Sequence, residues 1–290
     1  MKGGPVVIGV SIEGHDEGAV RWAAAEARAL GVHLRLVHGV VVPRGGFPGQ
    51  SMIGVDPRQG LLALGRRELQ AMREEALRTV PDLPVEDEVV ESEPVALLRA
   101  HAPTSSLIVV GSDGFGSFGE RVLRGIARGL AGHVGVPVVV VPRHCDAEVR
   151  DRAGGRAPVV VGDDGTAGAR GAVRFAARRA ADRRAPLVIV RAGPDARLLP
   201  EEAPSLGTDR PPAVHVVVAE ERADRVLADQ ARDAELVVLG VGEHGVLHAR
   251  HRTRPDLVRK ATCPVVIAPP DLPVEAPTER ARAGAAGQGA

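Results

Sequence analysis

Unbroken apolar runs punctuate this chain at regular intervals. Val-Val-Ile-Gly-Val at 6–10, Leu-Ile-Val-Val-Gly at 107–111 and Val-Pro-Val-Val-Val-Val at 136–141 show no alternation of polar and apolar positions. That is the pattern of strands buried on both faces of a parallel sheet. Between them lie segments with helical spacing. Ala19, Ala23, Ala27 and Leu30 form one stripe over 16–30, with Asp16 placed as N-cap and Gly31 as the C-terminal stop. Leu61, Leu69, Met72, Ala76 and Val80 form a second stripe over 59–80. Residues 34–42 and 85–90 read as further strands, and 94–102 as a short helix opened by Pro94. Glu86, Asp87 and Glu88 make the 85–90 strand a solvated edge that discourages pairing with other sheets. Pro43 to Pro57 is loop-like.

The pattern then starts again. Val159-Val-Val-Gly-Asp-Asp-Gly echoes the run at 6–10, and 167–182 repeats the first helix. Strands at 187–190 and 214–218, a helix at 223–231, Leu236-Val-Val-Leu-Gly and Cys263-Pro-Val-Val-Ile-Ala-Pro follow in the same order. This is the duplication of a whole domain. The second copy is shorter, and most of the loss falls between its second and third strands. Pro194, Pro200, Pro204, Pro211 and Pro212 bar a long helix there. The predicted fold class is α/β: two tandem, open, five-stranded parallel-sheet domains at 1–142 and 158–269. An exposed linker is expected at 143–157 and a disordered tail at 270–290.

Candidate chemistry concentrates after the 107–111 strand. Gly111, Gly114, Gly116 and Gly119 precede a segment with Val122, Ile126 and Leu130 at helical spacing. Glycines let backbone N–H groups approach a phosphate, and a helix start adds positive dipole. A glycine-rich turn is also what any sharp strand-to-helix connection needs, so spacing leaves both readings open.

Composition narrows the field. Lysine plus arginine and aspartate plus glutamate both number 37, so the chain offers no electrostatic reason to bind nucleic acid or an anionic membrane. No apolar run approaches the ~20 residues that span a bilayer. Ser11 and Glu13 interrupt the N-terminal apolar stretch, so no signal peptide is read and a cytoplasmic location is expected. Cys145 and Cys263 are far apart and form no CxxC, which argues against a disulfide or zinc framework. Tyrosine is absent and aromatics are few, so the core must be Val, Leu, Ile and Ala.

The runs at 6–10, 19–28, 111–119 and 135–141, repeated in part at 159–166 and 263–267, resemble the universal stress protein family in its tandem two-domain form. The resemblance implies adenine nucleotide alpha hydrolase-like domains joined through their last strands as an intramolecular pseudo-dimer, with Val138–Val141 near Val265–Ala268. It also implies a stress-response role. Members that bind ATP have an Asp after the first strand, near the adenine, and Gly-x2-Gly-x9-Gly-Ser/Thr after the fourth. The candidate nucleotide site implied here is Ser11, Gly111, Ser112, Gly114, Gly116, Ser117, Arg124 and Gly125 in the first copy, and Asp164 in the second. Ser11 stands where the Asp belongs, and Arg124-Gly125 where Gly-Ser/Thr belongs. The second copy keeps Asp164, but Glu243 falls at the second glycine and His251-Arg252 replaces Gly-Ser/Thr. Two functions follow: a regulatory or interaction module with a degenerate nucleotide site and an unidentified protein partner, or an ATP-binding sensor using the first copy's loop. ATP is the one cofactor implied; homodimerisation of the chain stays open.

Other clusters are weaker. His244, His248 and His251 fit a zinc-binding helix face, but Arg250, Arg252 and Arg254 interleave and oppose a cation, so a solvated basic loop is the competing reading. Asp163-Asp164 suggests Mg²⁺; adjacent residues point to opposite faces, which favours one strand-end and one turn residue. No Gly-x-Ser-x-Gly, Walker A or nucleophile–base pair is present, so catalysis is not expected. Cys263 reads as core.

Overall fold

The computed structural model describes residues 3–12, 15–42, 57–112, 135–143, 145, 156–193, 196–198, 206, 211–240, 257 and 261–269. The first half contributes β1 (Val6–Gly9), α1 (Glu17–Leu30), β2 (Leu34–Gly39), α2 (Pro57–Thr79), β3 (Val85–Val90), α3 (Pro94–His101), β4 (Leu107–Gly111) and β5 (Val138–Val141). The second contributes β6 (Val159–Gly162), α4 (Ala167–Arg183), β7 (Leu187–Ala192), β8 (Val214–Ala219), α5 (Ala223–Gln230), β9 (Leu236–Gly240) and β10 (Val265–Ala268). The ten strands form one sheet in the order β3-β2-β1-β4-β5-β10-β9-β6-β7-β8. Each half is parallel throughout, and the halves meet antiparallel, with Val265 opposite Val140, Val266 opposite Val139 and Ile267 opposite Val138. The two last strands thus pair as the resemblance implies.

The unbroken apolar runs are explained by burial on both sides. Val6, Ile8, Leu107, Val109, Val139 and Val141 face one core layer, and Val7, Ile108, Val110, Val138 and Val140 face the other. Helices α1, α2 and α4 cover the first layer with small residues: Ala19, Ala23 and Ala27 from α1, and Ala172, Ala176 and Ala180 from α4. Cys263 packs in the core as expected. Cys145 does too, so the linker is not exposed throughout. Of the α2 stripe, Leu69, Met72 and Ala76 are buried while Leu61 is half-buried. Between β7 and β8 the described residues form a single 3₁₀ turn, Ala196–Leu198. The tail from 270 and most of the linker lie outside the described residues.

The two halves align residue for residue through their first three elements. Val6 pairs with Leu34 and Val159 with Leu187. Counting on from these pairs, Gly31 matches Arg184, and both end their helices in the left-handed region, at φ 67° and 51°. The same count matches Trp22 with Phe175 and Glu26 with Arg179. These last two meet. Glu26 is 4 % exposed and pairs with Arg179 at 3.3 Å and with Arg183, which also binds Glu235. Burial pulls the Arg183 pKa down, but the Glu26 and Glu235 carboxylates outweigh it and hold it above the usual value. Two first halves packed in this manner would set Glu26 against Glu26. The charge difference at one symmetric position therefore favours the tandem pairing over self-pairing of either half.

Removing one partner of a buried ion pair leaves the other uncompensated. Glu26→Gln should lower the stability of the intact chain by about 3 kcal/mol, read from urea denaturation, whereas Glu86→Gln on the exposed edge should cost about 1 kcal/mol or less.

Candidate functional site

In an open parallel sheet, a crevice forms where adjacent strands send their connections to opposite sides. In the first half this point lies between β1 and β4, in the order β3-β2-β1-β4-β5. Ser11 follows β1, and Gly111 ends β4. Gly114, Gly116, Ser117, Arg124 and Gly125 lie outside the described residues, as does the histidine cluster at 244–251.

The side chain that fills the crevice is Asp16. Although it precedes α1, it does not cap the helix, contrary to the sequence expectation. Its Oδ2 instead accepts the Ser11 N–H at 2.7 Å. Its Oδ1 lies so close to Gly111 that any Cβ there would overlap it. Gly111 has ordinary φ, so the carboxylate's approach, and not backbone conformation, requires glycine at this position. Asp16 is 1 % exposed. Among the described residues, Asp16 Oδ1 and the Ser11 hydroxyl are buried with no hydrogen bond of ordinary geometry, though the hydroxyl lies close enough to the carboxylate to help hold its charge. Burial raises the Asp16 pKa above the usual carboxylate range; the Ser11 N–H and then its hydroxyl oppose this, and Glu17 and Glu68 add to it. The first half thus has a carboxylate at the end of its first strand after all, supplied five residues later than the resemblance implies.

Neighbouring groups hold this arrangement. The buried His38 donates from Nδ1 to the Val10 carbonyl at 2.8 Å, tying the ends of β2 and β1. Gly65 of α2 sits directly over that imidazole; a Cβ there would come within 2.7 Å of Cδ2. Ser112 turns toward β5, its N–H donating to the Val141 carbonyl at 2.9 Å and its hydroxyl accepting the Arg143 N–H at 3.1 Å.

The second half is closed at the equivalent place. Val10 and His38 correspond to Asp163 and Arg191, which form a buried ion pair at 3.0 Å. The other Asp163 oxygen accepts the Gly165 N–H at 3.1 Å. Asp164, the counterpart of Ser11, is exposed and folds back onto Thr166, accepting its N–H at 3.1 Å and its hydroxyl at 2.6 Å. Asp163 is thus the strand-end residue and Asp164 the turn residue, as adjacency on a strand suggests. Thr166 then caps α4 by accepting the Ala169 N–H at 3.2 Å. Ala169 is the counterpart of Asp16, and α4 starts three residues earlier than α1 by the same count. Its first turn lies on the end of β9, where a Cβ on Gly240 would overlap the Gly168 carbonyl. Helix backbone and an internal salt bridge stand where the first half has the Asp16 carboxylate, bonded through Oδ2.

Sequence reading missed Asp16 and the Asp163–Arg191 pair. The available signals were an acidic residue close behind the substituted Ser11, and an arginine inside the otherwise apolar run Leu187-Val-Ile-Val-Arg.

The chain is thus a doubly wound α/β sheet present twice, with polar groups gathered at the switch point of each half. Residues 4–142 match the family model for the universal stress protein family. A universal stress protein of Mycolicibacterium smegmatis is 26 % identical over 295 residues, covering 91 % of this chain and 97 % of that protein. One from Mycobacterium tuberculosis is 27 % identical over 262 residues, covering 81 % of this chain and 85 % of the relative. The crystal structure of a universal stress protein from Archaeoglobus fulgidus superposes with a TM-score of 0.67 over 92 % of this chain and 96 % of that one, at 16 % identity. The chain is a member of the universal stress protein family. Among the described residues, no helix is long and apolar enough to cross a membrane, and no group of acidic, histidine and cysteine side chains forms a metal site.

The raised pKa of Asp16 fixes the sign of a pH effect. A carboxyl whose folded pKa lies above its unfolded value binds more protons in the native state. Its contribution to stability is therefore fullest at low pH and declines as pH rises from the unfolded pKa through the folded one. Asp16→Asn removes that decline. The variant should melt above the unmodified protein near neutral pH, and the gap should shrink as pH falls toward about 4. Melting curves across pH check this, and a variant less stable at neutral pH would contradict it.

Proposed function

We propose that this protein is a non-catalytic, stress-response regulatory module that reads one adenine nucleotide in its first half. The second half serves as a structural partner. One observation carries the reading: the two halves differ in polar satisfaction at the same place. In the first, Asp16 Oδ1 and the Ser11 hydroxyl are buried with no hydrogen bond of ordinary geometry among the described residues. In the second, Asp163 is satisfied by Arg191 and Gly165, and Asp164 by Thr166. Buried unpaired polar atoms are costly, and a bound ligand is one means of completing them. A carboxylate oxygen beside a hydroxyl suits an exocyclic amine next to a ring nitrogen: the carboxylate accepts from the amine and the hydroxyl donates to the nitrogen. Adenine presents that edge. The glycines after β4 suit the phosphates, in keeping with the family resemblance. The use proposed for the site is binding and not turnover, in keeping with a sequence that carries no nucleophile–base motif.

A second reading takes Asp16 as a plug. Its near-complete burial between Ser11 and Gly111 then marks a closed crevice, and function lies in binding a protein partner.

Calorimetric titration with ATP and Mg²⁺ separates the two. One site per chain is expected, weakened about tenfold or more in Asp16→Asn through loss of a hydrogen bond to a charged acceptor. GTP, which carries a keto oxygen in place of the amine, should bind more weakly than ATP. Asp164→Asn should leave the titration unchanged. No heat with ATP would support the plug; binding that ignores Asp16→Asn would remove the proposed site.

A further inference from the structure

The ten-stranded sheet ends in β3 on one side and β8 on the other. These are equivalent strands: Leu34 pairs with Val85 and Leu187 with Val214. Their surfaces are opposite in character. In β3, Glu86, Asp87 and Glu88 are exposed and tied to Arg35, Arg73 and His101. Charges in such positions deter pairing with another sheet. The matching residues of β8 are His215, Val216 and Val217. The run Val-His-Val-Val-Val-Ala contains no carboxylate, and Val216 and Val218 are 38 % and 50 % exposed.

The Ala213 and Ala219 carbonyls accept from the Leu187 and Gly193 N–H groups on the β7 side. Alternation along the strand then turns His215 and Val217 toward β7 and leaves the N–H and C=O of Val214, Val216 and Val218 on the outer edge. Among the described residues no strand pairs with that edge.

We propose that β8 is a dimerisation strand, pairing antiparallel with β8 of a second copy about a two-fold axis. The protein already joins two five-stranded sheets in this way at β5–β10, through strands that are likewise β-branched, apolar and uncharged. Of the two sheet edges, only β8 shares that composition. The two-fold contact closes on itself, and the outer edges of the resulting dimer are both the acidic β3, so growth stops at two chains. A net charge of zero adds no long-range repulsion between copies. This proposal is independent of the nucleotide site.

Sedimentation velocity on the full chain over a concentration series tests it. A species at twice the 30.2 kDa chain mass is expected. The double variant His215→Glu, Val216→Asp gives β8 the acidic residues that its counterpart β3 carries, and should sediment as a single chain with an unchanged circular dichroism spectrum. Val216→Pro, which removes an outward N–H but no bond to β7, should behave likewise. If either variant misfolds, hydrogen exchange of the unmodified chain decides: the Val216 and Val218 amides should slow as concentration rises. A single-chain species throughout the series overturns the proposal. So does a dimer that persists in both folded variants, or one whose β8 amides exchange at the same rate at every concentration.

Discussion

The antiparallel contact between β5 and β10 holds the two halves in one sheet. Each of these strands is buried on both faces, and each would otherwise be the open edge of a five-stranded half. Left unpaired, their backbone groups would be an invitation to other chains. Joining them satisfies both edges and sets the halves in opposite directions about a pseudo-two-fold. It also brings position 26 of α1 to its counterpart, position 179 of α4, where a glutamate meets an arginine. Duplication permits this. A homodimer must place identical charges at symmetric positions, while a tandem chain is free to differentiate them.

The same freedom shows at the switch points. In the second half, α4 begins early, a threonine caps it, and its first turn covers the end of β9. In the first half, α1 begins later, its cap position gives no side-chain bond, and the freed aspartate reaches the end of β1. Three residues of helix separate a crevice closed by helix backbone and an ion pair from one filled by the Asp16 side chain. Relative to the second half, the first trades a satisfied helix start for a buried carboxylate. That is a local cost of the kind found where ligands bind.

Much of the architecture was legible in the sequence because its causes are local or periodic. Strands buried on both faces show as unbroken apolar runs, and helices facing a sheet show as alanine stripes. The duplication shows as a repeat of the same order of runs. The solvated character of β3 was visible in Glu86, Asp87 and Glu88, and the antiparallel pairing of Val138–Val141 with Val265–Ala268 was implied by resemblance and matches the observed register.

Tertiary structure decided what depends on side-chain direction across elements far apart in sequence. Spacing alone made Gly111 a candidate for phosphate approach; only the fold brings the Asp16 carboxylate against it. Asp16 looked like a helix cap because caps are recognised from nearest neighbours, yet its bond goes backward to Ser11. Arg191 in an apolar strand gave no hint of its partner until β6 and β7 were set side by side. Sequence by itself thus determined the elements, their order and their duplication, since hydrophobic periodicity acts within each segment. The structure decided what fills each crevice, since that depends on packing between β1, β4 and α1 in one half and β6, β7, β9 and α4 in the other.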